Sequence, residues 1–172
     1  MQNKATIKND FRQNLIAGIT QDSEGVEFFG IRKSKTVKFL YKGSAYPFNE
    51  LSPKYYAILS NAFYEDVSAV KFFRKFQISE ARKIELWTYY CYGDLDHTPD
   101  IIDGKLQPAE NFRDSLECPS LQFDSTQITI AGKPLLPREL TIIDMISKDA
   151  LDIEIAEALN ITLSTLGFHK RQ

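Results

Sequence analysis

Residues 135–171, LLPRELTIIDMISKDALDIEIAEALNITLSTLGFHKR, leave the chain few ways to fold at its end. Pro137 suits the first turn of a helix running to about Ser147, with Leu140, Ile143 and Ile146 or Ser147 on one side and Ile142 and Met145 widening the apolar face. Glu139 sits in that first turn, where the helix dipole favours an acid. Asp152 caps or opens a second helix, whose inward stripe is Ile155, Ala156 and Leu159. Asn160-Ile161-Thr162 makes a turn in which Ile161 plugs the corner, and Thr162 caps a third helix beginning at Leu163. Two short helices and the start of a third follow one another in fewer than forty residues.

Ala156 narrows the arrangement further, because a small residue there lets the next helix cross closely, as a helix-turn-helix requires. With Leu166 turned inward, Ser164, Thr165, Gly167, Phe168, Lys170 and Arg171 occupy the other faces of the third helix. A recognition helix offers such residues to the major groove: hydroxyls and basic groups donate hydrogen bonds, and an aromatic such as Phe168 can touch a thymine methyl. The opposing expectation is that Phe168 packs on the preceding domain while Lys170 and Arg171 stay solvated.

On these residues the segment Leu135–Gln172 resembles the LuxR-type helix-turn-helix at the C-terminus of many bacterial transcription regulators. The likeness is carried by Leu135, Pro137-Arg138-Glu139 and Ile142-Ile143, then Glu154-Ile155-Ala156 and Leu159, then Ile161, Ser164-Thr165-Leu166 and His169. It implies that the third helix enters the major groove, with Arg171 at a basic contact position and Thr165, Gly167 and Phe168 at further contact positions. Departures are Leu136 in place of a capping Thr, Asp149 where Gly is usual, Leu151 and Ile153 at the start of the second helix, and Gly167 where a Lys is common. The resemblance also implies a longer third helix and a fourth, so the module is expected to be incomplete at Gln172.

Upstream, VEFFGI (Val26–Ile31) and TVKFLY (Thr36–Tyr41) are rich in β-branched and aromatic residues around the charged turn RKSK, and predict two antiparallel strands, with a third near Ala45–Phe48. Ser52-Pro53 opens a helix carrying Tyr56, Leu59, Ala62 and Phe63; Val67, Val70, Phe73 and Phe76 continue after a break near Asp66. Ser79 caps another helix through Ile84, Trp87 and Cys91. Twelve Phe and eight Tyr supply large side chains for that core. The expected fold class is α+β: a small antiparallel sheet with helices, followed by the incomplete all-α module. Its domains are 1–92 (α+β), 93–132 (an acidic, irregular connector in which QITI at Gln127–Ile130 is one short strand) and 133–172 (the partial helix-turn-helix).

Charge does not follow the module expected to hold DNA. Residues 1–90 carry 14 Lys/Arg against 9 Asp/Glu, residues 91–132 carry 2 against 8, and residues 133–172 carry 5 against 6. Since nonspecific affinity comes from phosphate neutralisation, electrostatics alone does not argue for nucleic acid here.

Other chemistries find little footing. No GxGxxG or GxxxxGK[ST] occurs, and His169 lacks a Ser/Asp or Cys partner, so no catalytic residue and no cofactor is expected. Cys91, Asp94, Asp96, His97, Asp100, Asp103 and Cys118 have ligand chemistry, but the cysteines lack CxxC pairing and the acids lack the calcium-loop register. A hydrogen-bonded acidic turn, without a metal, is the expectation. The stretch CYGDLDHTPDI–DGKLQP resembles regulators of Bacteroidetes and their mobile elements, and this likeness supplies no ligand. The opening MQNKATIKNDFRQNL is too polar for a signal-peptide core, and no run of eighteen apolar residues exists, which gives a cytoplasmic expectation without membrane contact.

The function expected from the sequence is a non-enzymatic, DNA-binding transcription regulator of bacterial type, with double-stranded DNA as partner. Residues 1–92 would self-associate or take a protein partner. The alternative is a protein-interaction or mobile-element accessory protein whose helical module serves packing.

Overall fold

The structure is a computed structural model that describes residues 24–96, 98–110 and 112–171. The polar opening read as lacking a signal peptide lies outside the described residues, as do His97 and Gln172. The fold is α+β, as the sequence implies: a five-stranded antiparallel sheet with three helices, then a short hairpin and three more helices.

Strands β1 (Val26–Ile31) and β2 (Thr36–Tyr41) pair along their whole length, from Val26 opposite Tyr41 to Ile31 opposite Thr36. Strand β3 (Ser44–Pro47) continues on the far side of β2. The turn between them is Lys42-Gly43, both at positive φ (49° and 75°), the geometry that lets a two-residue hairpin follow the twist of its strands.

Helix α1 (Pro53–Glu65) starts where Ser52 accepts the amide of Tyr55 at 3.5 Å, with Pro53 in the first turn. Asp66 interrupts the helical run and caps α2 (Val67–Phe73); Ser79 caps α3 (Glu80–Cys91). All three caps stand where side-chain chemistry places them. Leu59, Phe63, Phe73, Ile84 and Trp87 are buried with Val26, Phe28 and Val37 of the sheet in one core. Val67 and Phe76 instead face solvent, because α2 turns Ala69 and Phe73 inward.

The segment 93–132 is irregular over most of its length, yet it is built into this first core. Ile101, Phe112, Cys118 and Phe123 are buried there. Strands β4 (Ile101–Ile102) and β5 (Lys105–Leu106) form a hairpin whose Ile101 pairs with Val26, so the sheet order is β3-β2-β1-β4-β5. The sheet therefore has two strands beyond the three expected. Their turn, Asp103-Gly104, has the same paired positive φ (52° and 73°), and Asp-Gly is the dipeptide that favours it.

Gly30 and Gly93 fix how closely this segment runs along β1. The amide of Gly30 donates to the carbonyl of Gly93 at 2.9 Å. A Cβ on Gly30 would lie 2.6 Å from the Tyr89 ring, and one on Gly93 would collide with the Tyr89 carbonyl. Two residues without side chains let the chain leave α3 directly against the sheet.

The C-terminal part opens with β6 (Thr129–Ile130) and β7 (Lys133–Pro134), joined by Ala131-Gly132. Helices α4 (Pro137–Ile146), α5 (Asp152–Ala158) and α6 (Leu163–His169) then enclose a second core of Ile142, Ile155, Ala156 and Leu166, with Met145, Ala150, Leu159 and Ile161 around it. The α4 face differs from the expected one. Leu140, Thr141 and Ile142 are buried, whereas Ile143 and Ile146 are exposed, because α4 packs one side on α5 and α6 and another on the turn Pro119–Gln122. No described helix is long and apolar enough to cross a membrane.

Candidate functional site

Helix α6 is positioned from its N-terminus and from beneath. Thr162 accepts the amide of Thr165 at 3.1 Å, capping the helix, and Leu166, 1 % exposed, anchors it in the second core. The preceding turn depends on Asn160, which holds φ at 51° while the amide of Ile161 closes back on the carbonyl of Ala156 at 2.9 Å. Helix α4 ends in the same way, with Asp149 at φ 59° and the amide of Ala150 on the carbonyl of Met145. Asn and Asp are the side-chain-bearing residues that tolerate this conformation best, which explains how Asp149 stands where glycine is usual.

Of the six residues singled out, four lie on α6 and two, Lys170 and Arg171, just past its end at His169; they divide by exposure. Ser164, Phe168, Lys170 and Arg171 are exposed; Thr165 and Gly167 are half-buried. Phe168 does not pack on the first domain and keeps 55 % of its surface open. Lys170 is not free, because its ammonium lies 2.8 Å from Asp152 at the start of α5. Both partners of that pair are solvated, so it contributes little to stability and is easily exchanged. The Arg171 guanidinium folds back over Gly167, 3.8 Å from where a Cβ would stand. That distance is ordinary contact, so a methyl at 167 would fit beside the arginine, and Gly167 weakens the helix without a steric need for it.

A second constellation surrounds Glu27, which sequence reasoning passed over as one polar residue in an aromatic strand. Glu27 is fully buried. On its side of β1 lie Asp96 and Asp100 from the loop after α3, and Glu110 following β5. One oxygen of each carboxylate accepts a backbone amide: Glu27 Oε1 from Asp96 at 3.1 Å, Asp96 Oδ1 from Thr98 at 2.5 Å, Asp100 Oδ2 from Phe28 at 2.7 Å and Glu110 Oε2 from Asp94 at 2.9 Å. Glu27 Oε2 and Glu110 Oε1, both buried, accept no amide, hydroxyl or cationic group among the described residues, while the Asp100 carboxyl lies within hydrogen-bond reach of Glu27.

Burial pushes the carboxyls of Glu27, Asp100 and Glu110 up from the ordinary range. The neighbouring Glu27 charge adds to the rise at Asp100, and those of Glu27, Asp96 and Asp94 add to it at Glu110; amides from the loop partly offset it. Of the ligand-type residues noted between 91 and 118, only Asp96 and Asp100 come to Glu27. Asp94 and Asp103 face solvent, and Cys91 and Cys118 are free thiols buried in the first core. The sequence signal for the group was the strand position of Glu27 combined with the acidic loop, and it becomes visible only once β4 pairs with β1.

No family model, curated protein or solved structure matches the chain.

Proposed function

We propose that the chain is a non-enzymatic, DNA-binding transcription regulator of the LuxR helix-turn-helix type, reading the major groove with α6. One observation carries this reading: α6 closes a three-helix core of its own while Ser164 and Phe168 on its outer side, and Arg171 just past its end, are left uncovered by the first domain. A helix held on its inner side by Leu166, with His169 turned toward Glu139 of α4, is arranged as a recognition helix must be, with short hydroxyl, aromatic and guanidinium groups outward. Residues 1–92 would supply self-association or a protein partner, since half-site recognition by one short helix gains specificity from pairing.

The test is binding to a random double-stranded DNA library at several salt concentrations. Affinity is expected to fall with salt, each neutralised phosphate contributing about −0.9 to the log–log slope. Arg171→Ala is expected to weaken binding by roughly tenfold and flatten the slope by about one. Salt-independent or undetectable binding would sink the reading.

A protein-contact reading has its own support in Leu151, Ile153, Leu163 and Phe168, all more than half exposed on α5 and α6. Under that reading the Phe168→Ala and Ile153→Ser variants lose self-association in sedimentation while DNA affinity stays negligible throughout.

A further inference from the structure

The group around Glu27 is an unusual place to leave negative charge. Ion pairs among the described residues join Lys35 to Asp114, Arg82 to Glu85, Lys83 to Glu80, Arg113 to Asp144, His169 to Glu139 and Lys170 to Asp152. None of them reaches Glu27, Asp96, Asp100 or Glu110. A carboxylate withdrawn from water without a partner costs several kcal/mol, by order of magnitude, and is found paired, protonated or bound to a metal.

The geometry favours the metal. One oxygen each from Glu27, Asp96 and Glu110 converge so that all three lie within 4.8 Å of one another. Carboxylate oxygens gathered in this way are the donors that hard divalent cations such as Ca²⁺ and Mg²⁺ take. Each of the three carboxylates also accepts a backbone amide, from Asp96, Thr98 and Asp94 in turn, the kind of hydrogen bond that orients ligating carboxylates. Glu27 is the independent sign that something belongs there: it is fully buried, and its Oε2 accepts no amide, hydroxyl or cationic group among the described residues. A proton shared between Glu27 and Asp100 would satisfy one of the orphan oxygens and leave Glu110 Oε1 and the exposed Asp96 carboxylate beside them.

We propose that Glu27, Asp96 and Glu110 bind a hard divalent cation, which staples the acidic segment 93–110 to strand β1. The site is structural and does not depend on whether α6 reads DNA. Its ligands come from a strand, the loop after α3 and the residue run after β5, so the ion joins three parts of the chain that the sequence keeps far apart.

The test is titration of the chelator-treated full chain with CaCl₂, MgCl₂ and MnCl₂ by calorimetry, alongside thermal unfolding. One ion per chain is expected, with a rise in Tm of about 5–10 °C at a hundredfold excess over Kd. Glu27→Gln and Glu110→Gln keep the shape of the side chains and are expected to abolish that rise. Asp103→Asn, in the same acidic segment but outside the group, is expected to keep it. One-to-one binding of any of the three ions supports the site, and their order of affinity identifies its cation. Absence of one-to-one binding of any of the three ions to the unaltered chain would overturn the site, and so would an undiminished response in a folded Glu27→Gln or Glu110→Gln variant.

Discussion

Trp87 and the first turn of α2 are anchored on one carboxylate, that of Asp66. Its Oδ1 accepts the amides of Ala69 at 2.9 Å and Asp124 at 3.1 Å and the hydroxyl of Ser68, and its Oδ2 accepts Trp87 Nε1 at 3.2 Å and the amide of Ser125 at 3.1 Å. Burial pushes this carboxyl up, but the donors from Ser125, Ala69 and Trp87 together outweigh it and hold it below the ordinary aspartate value. A folded pKa below the unfolded one contributes stability that is complete at neutral pH and is lost as pH falls through the unfolded and then the folded value. Asp66→Ala strips several buried donors of their acceptor and is expected to cost about 3 kcal/mol or more at pH 7. In urea titrations from pH 7 to pH 3 the gap between the two proteins is expected to narrow below about pH 4; a gap that stays constant would mean that Asp66 acts through shape alone. The sequence showed a helix break at Asp66. The donors from 124 and 125 come from a segment without periodicity, so nothing local announced them.

Between elements, legibility follows how local the cause is. Ser52, Asp66 and Ser79 cap their helices through amides three residues on; Ser52 and Ser79 were readable as caps for that reason, whereas at Asp66 only the break was. The β4–β5 hairpin carried its Asp-Gly signature, yet two-residue strands are too short to show alternation, and Ile101 is a strand residue only because Val26 pairs with it. The outward turn of Ile143 and Ile146 was likewise invisible, since α4 has two apolar faces and the choice between them belongs to α5, α6 and the turn at 119–122. Helix α5 leaves one local requirement unmet. Leu151 has the backbone of a capping residue, φ −73° and ψ 150°, and its amide is bound by Glu154 Oε2 at 2.8 Å, but its side chain cannot accept a bond. Leu151→Ser completes the reciprocal pair and removes an exposed apolar group. A gain of about 0.5–1 kcal/mol is expected, seen as a rise in Tm of roughly 1–4 °C; an unchanged or lower Tm would show that Leu151 is covered by another surface.

Across the whole molecule, two cores meet over a narrow front: α4 against the turn Pro119–Gln122, and one ion pair in which Arg113 Nη1 meets both Asp144 oxygens at 2.7 and 2.9 Å. The Arg113 side chain is 8 % exposed and that of Asp144 24 %, so this pair differs in kind from the solvated one between Lys170 and Asp152. Removing Asp144 leaves a guanidinium withdrawn from water without its acceptor, and Asp144→Ala is expected to cost about 1–3 kcal/mol, against about 0.5 or less for Asp152→Ala. The loss should fall on the joint and not on either core. The chain holds a single tryptophan, Trp87, buried in the first core, so fluorescence follows that core while far-UV circular dichroism follows all six helices. In the unaltered protein the two urea transitions are expected to coincide. In Asp144→Ala the dichroism should begin to fall first, as α4–α6 melt away from a first core that still protects Trp87. Coincident transitions in the variant would mean that the packing of α4 on residues 119–122 is enough to make the two cores fold as one.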